Sequence, residues 1–87
     1  RNLPPVVHVR NENAVSLSSR EIEVMSLVVK GYINKEIADQ LNLSLPTIIS
    51  HRKNLMTKLG LRSVSALTIY AVMHGYVDVN DIRTLSL

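Results

Sequence analysis

The stretch NKEIADQLNLSLPTIISHRKNLMTKLG, Asn34 to Gly60, carries two helical patterns with almost no chain between them. Ile37, Ala38 and Leu41 share one helical side, and Lys35, Glu36, Asp39 and Gln40 share the other. Asn42 suits the left-handed conformation that ends such a helix, and Leu43 plugs the turn. Ser44 is placed to cap a second helix, Leu45 to Leu59. Pro46 is harmless in its first turn, where amide donors lack partners anyway. Two helices joined by so short a turn make a helix-turn-helix, in which the second helix crosses the first and protrudes.

The flanking chain supplies two more helices. Ser18 precedes Glu21 at the spacing of a capping box, with Leu17 placed to staple the first turns. Ile22, Val24, Met25, Leu27, Val28 and Val29 then spread round most of the helix, which predicts extensive burial. Lys30 and Gly31 stop it. A last helix is expected from a cap at Ser63 to His74. The predicted fold is all-α: a compact four-helix domain with a central helix-turn-helix, over residues 17–77. Residues 1–16 read as a linker or N-terminal arm, in which Val6-Val7-His8-Val9 can make a short strand. Residues 78–87 read as a C-terminal tail with a further turn near Asn80 or a frayed end.

Composition narrows the function classes. Hydrophobic residues make up 46% of the 87, yet Trp and Phe are absent and Tyr occurs three times, so the core must be aliphatic. Without cysteine there is no disulfide framework and no thiolate zinc site. No apolar run reaches the roughly 18 residues of a membrane span and no signal peptide is visible, so a cytoplasmic protein is expected. The chain opens on Arg1 rather than Met, and it is expected to be a segment of a longer protein. His8, His51 and His74 share no metal spacing, and no nucleophile, base and acid fall together. Serines at helix starts are explained by capping. Neither an enzyme nor a cofactor is expected, and a small hydrolase has no supporting constellation.

Charge placement says more than the net charge of +3. No acidic residue lies between Asp39 and Asp78, whereas Arg52, Lys53, Lys58 and Arg62 do. Such a window suits a polyanion, or is simply a solvated basic face. On the long helix, Leu45, Ile48, Arg52, Leu55 and Leu59 fall on one side, which is expected to pack on the domain with Arg52 reaching outward along its stem. Ile49, Ser50, Lys53 and Thr57 face the other way, with Thr47, Asn54 and Lys58 on one flank. His51 at the edge reads as a packing or phosphate-contact residue. This outer side fits the major groove of double-stranded DNA, which admits one helix. There Lys53 can donate to guanine, Ile49 can touch a thymine methyl, and Ser50 can bond either way. The alternative for Ile49 is a chance exposed residue.

The run from Leu17 to Val77 resembles the DNA-binding domain of LuxR/FixJ (NarL)-type bacterial transcription regulators. The resemblance is carried by Leu17, Arg20-Glu21, Gly31, Asn34-Lys35-Glu36-Ile37-Ala38, Leu41, Ser44, Thr47, His51, Asn54, Lys58-Leu59-Gly60 and Tyr70-Ala71. It implies sequence-specific DNA binding as the output domain of a response regulator, with Ile49, Ser50 and Lys53 facing bases. Asn34, Lys35, Thr47, Arg52, Asn54 and Lys58 would face the DNA backbone. It also implies a homodimer on DNA through the last helix and an upstream regulatory domain. Three departures stand out. Ile49 replaces a frequent lysine. Ile33 replaces the usual Ser or Thr cap of the second helix, so Asn34 is expected to take over that cap. Ile69 and Met73 replace charged residues and, with Ala66 and Arg62, form a largely apolar stripe. The stripe is expected to meet a second copy or an upstream domain, or else to be covered by Val6, Val7 and Val9 or the tail. The competing function is a helical protein-interaction module that keeps the fold without DNA binding.

Overall fold

A reciprocal pair of hydrogen bonds starts the first helix. In the computed structural model, which describes residues 16–83, the Ser18 hydroxyl accepts from the Glu21 amide at 3.1 Å. The Glu21 carboxylate accepts from the Ser18 amide at 2.9 Å. Together they satisfy donors that a helix start otherwise leaves unpaired. Helix α1, Ser19–Lys30, ends on Gly31, whose φ of 105° lets its amide reach the Leu27 and Val28 carbonyls.

Helix α2 spans Asn34–Leu41. Asn42 follows at φ 56°, the one non-glycine residue with positive φ among the described residues. Helix α3 spans Leu45–Leu59, its Ser44 cap accepting from the Thr47 amide at 3.3 Å. Helix α4 spans Val64–Met73, with the Ser63 hydroxyl accepting from the Ala66 amide at 3.1 Å. It stops one residue short of the predicted His74, which caps it instead. A 3-10 turn, Val79–Asp81, lies in the tail where a turn was expected, and the Asp78 carboxylate caps it. No strand occurs among the described residues, and the fold is the all-α, four-helix one. The expected strand at Val6 to Val9, and any cover it gives the apolar stripe, lie outside the described residues.

Two expectations are corrected. Asn34 does not cap α2. It is the first helical residue, Ile33 holds the cap position without a side-chain acceptor, and the Asn34 carbonyl oxygen Oδ1 is turned to Arg52. Leu45 does not pack on the domain: it is 44% exposed, because α3 meets the core only one turn later, at Ile48.

The core is aliphatic, as an all but aromatic-free composition requires. Val24, Met25, Ile37, Ile48, Leu55 and Leu67 are fully buried, with Ala71 between them. Helix α1 lies at the centre, against α3 on one side and α4 on the other, and α2 packs on α3. Packing continues past Val77, since Ile82 is also buried. Burying a Val, Leu, Ile or Met side chain contributes about 1.5–3 kcal/mol, and the middle and the end of α3 are held differently. Ile48 and Leu55 clamp its middle, and a charge clamps its end.

That charge is Glu21, the only buried charged residue among those described. Its Oε1 also accepts from the Lys58 ammonium at 2.8 Å, joining the start of α1 to the last turn of α3. The Lys58 hydrogen bond and then the Ser18 amide hold the Glu21 carboxyl below its ordinary pKa of 4.5, against the opposing effect of burial. A carboxyl lowered on folding adds stability that is complete above its unfolded pKa and is lost as pH falls through its folded pKa. Thermal melts of the wild-type chain are therefore expected to drop in Tm below about pH 4.5. The Glu21→Gln variant is expected to melt lower at neutral pH and to show a shallower acid limb. Parallel acid limbs in the two proteins would remove Glu21 as the cause.

Candidate nucleic-acid interface

The protruding helix separates its two isoleucines. Ile48 is fully buried, whereas Ile49 is 50% exposed. This follows from the 100° step of a helix whose inner side is held by Ile48 and Leu55. Ser50, Lys53, Asn54 and Thr57 are exposed on the outer half, and His51 and Arg52 are partly covered. Ile49, Ser50 and Lys53 thus lie on one open surface with no acidic neighbour on their own helix.

The flank positions are not equivalent. Lys35 is exposed at the start of α2. Arg52 spans the helix-turn-helix, its guanidinium donating to Asn34 Oδ1 at 2.7 Å. Asn34 and Arg52 therefore act as a unit that ties α3 to the first turn of α2. Ile33, Val64 and Thr68 border the same spot, an open concavity of about 410 Å³. Thr47 is engaged locally, its hydroxyl 2.7 Å from the Ser44 hydroxyl. Lys58 is committed to Glu21, although its side chain remains 43% exposed and its ammonium has two further protons to donate. Lys35, Arg52, Lys53 and Arg62 make no ion pair with another described residue. Cations without an acidic partner, beside short polar side chains, can meet phosphates and base edges.

Helix α4 carries no charged residue. Ile69 is 61% exposed, Met73 is 78% exposed and Ala66 is partly covered. Sequence reasoning missed three features that cross the fold: Lys58 on Glu21, Arg52 on Asn34, and Arg83 over Tyr32. Nothing local marks these pairs, whose partners lie far apart in the chain. The stack of Tyr70 on His74, with ring centres 4.2 Å apart, was also passed over, although its four-residue spacing on a helix was readable.

Comparison with known proteins identifies a family for most of the described chain. The family model described as bacterial regulatory proteins, luxR family, matches residues 15–71. Oxygen regulatory protein NreC from Staphylococcus aureus strains JH9 and JH1 is 50% identical over 56 residues in each case. Those residues are 64% of this chain and 26% of the relative, so the chain spans about a quarter of the length of these proteins.

Because the Lys58 ammonium neutralises a buried carboxylate, its removal acts on the fold before it acts on any ligand. Lys58→Ala is expected to cost about 1–2 kcal/mol, between an exposed and a buried pair since Lys58 is half in solvent. A differential melt should show this as a loss of several degrees, and restoration by Lys58→Arg is expected. An unchanged Tm would mean that Glu21 finds another donor.

Proposed function

The chain belongs to the luxR family of bacterial regulatory proteins, a family of helix-turn-helix DNA-binding regulators, and on that premise we propose that it binds double-stranded DNA sequence-specifically through α3 in the major groove. The observation that carries this reading is the open, acid-free outer surface of α3, where Ile49, Ser50 and Lys53 stand over the buried Ile48. Lys53 donates to guanine, Ile49 covers a thymine methyl, and Ser50 bonds a neighbouring base edge. Asn34, Lys35, Thr47, Arg52, Asn54 and Lys58 fix the register on the phosphates. No chemistry or cofactor takes part.

Two copies bind neighbouring half-sites, about one helical turn apart. The uncharged α4 supports Ala66, Ile69 and Met73 as the seam between them, since nothing there opposes self-association by charge. The chain spans about a quarter of the relatives' length, and in our reading it is the output part of a cytoplasmic response regulator with a regulatory domain upstream whose signal controls access to α3. The exposed Ile69 and Met73 also support the competing reading, a protein-interaction module that does not bind DNA. Failure of the chain to shift any duplex at low salt would favour that module.

Selection of binding sites from a random duplex pool supplies the operator on which these readings are tested. On it, Lys53→Ala is expected to cost about 1–3 kcal/mol and to relax preference at one base position. Equal losses on selected and random duplexes would remove Lys53 from base contact. Changing Ile69 and Met73 together to Glu is expected to abolish cooperative occupancy of paired half-sites while single half-site affinity stays within about two-fold. Cooperative binding that survives both charges would place the seam elsewhere.

A further inference from the structure

We propose that Arg83 is a positioning residue for the DNA-facing surface, acting through the first turn of α2; this rests on the DNA-binding reading above. Helix α2 begins without a side-chain cap, because Ile33 has no polar side-chain atom to offer. Half of a capping box survives, since Glu36 Oε1 accepts from the Ile33 amide at 2.9 Å. The same Oε1 lies 3.7 Å from a guanidinium nitrogen of Arg83. The guanidinium carbon of Arg83 stands 4.5 Å from the centre of the Tyr32 ring. Arg83 thus holds a residue on each side of the uncapped Ile33.

The geometry reaches both the core and the recognition helix. Ile82, the preceding residue, is 3% exposed and packs in the core, so the backbone that carries Arg83 is already anchored. Little further ordering is needed to bring the guanidinium to Glu36 and Tyr32. On the other side, Asn34 follows Ile33 directly and accepts from Arg52 on α3 at 2.7 Å. Contacts therefore run without a break from the C-terminal segment, through the start of α2, to the helix that faces DNA. Residue 83 lies outside the stretch that the family model matches, residues 15–71. As a donor it cannot replace the acceptor that a Ser or Thr at position 33 would offer; from the tail it steadies Glu36, the half of the capping box that remains.

An exposed ion pair and a cation–π contact are each modest, so the test looks for effects of a few fold. In the 87-residue chain, Arg83→Gln is expected to speed hydrogen exchange at the Ile33 and Ile37 amides, the two that close the first turn of α2. It is also expected to weaken binding to a mixed-sequence duplex about three- to five-fold without changing the slope of log affinity against log salt. Adding Ile33→Thr, which restores a cap acceptor for the first turn, is expected to reverse both effects. Unchanged exchange at Ile33 and Ile37 in Arg83→Gln overturns the proposal whatever the duplex result. So does a salt slope reduced by about one, which marks Arg83 as a phosphate contact itself. If the parent chain does not shift the duplex, the DNA-binding reading fails with it. That outcome is told apart because it arises before any residue is changed.

Discussion

Burying one carboxylate is the constraint around which this domain is organised. Glu21 is buried in the first turn of the central helix, where its carboxylate accepts from the Ser18 amide. An isolated buried carboxylate is costly, so a cation must come to it. Lys58 does, from the end of the helix that protrudes. The carboxylate that caps α1 thereby also ties down the last turn of α3. With Ile48 and Leu55 filling the core under its middle, α3 has little freedom to roll. The proposed role of this surface, to meet a duplex in register, gains from that rigidity.

The same logic separates side chains that hold the surface from those that form it. Lys53, Ser50 and Ile49 have no partner within the described domain and are free to be read by a ligand. Arg52 and Lys58 each spend part of their hydrogen-bonding capacity on the fold, on Asn34 and Glu21. Their positive charge still adds to the field of the outer face, where no acid opposes it along α3. Helix α4 takes the opposite course. It has apolar residues all round, yet only Leu67 and Ala71 are buried in the domain. The rest of its apolar surface, Ile69 and Met73 above all, is what a partner helix can use.

The tail is more than an ending. Val77 and Ile82 complete the core, and Arg83 reaches the junction between α1 and α2. A junction that lacks a polar cap at Ile33 is thereby braced from outside the helix-turn-helix. Local sequence and distant packing share one task here: fixing the first turn of the helix that carries Asn34.

Much of the architecture was legible in the chain itself. Ser18, Ser44 and Ser63 announce helix starts, because a hydroxyl at that place pairs an amide that has no other partner. Gly31 and Asn42 announce stops, because they adopt the left-handed backbone at little cost. Helical spacing put Ile48 and Leu55 inward and Ile49, Ser50 and Lys53 outward. Such rules act within a few residues, so a sequence can express them. Tertiary structure alone decided that Lys58 meets Glu21, that Asn34 serves Arg52 instead of capping its own helix, that Leu45 is left partly exposed, and that Arg83 returns to Tyr32 and Glu36. Those outcomes depend on where helices cross, and crossing is set by the summed packing of side chains distant along the chain, which no local spacing encodes.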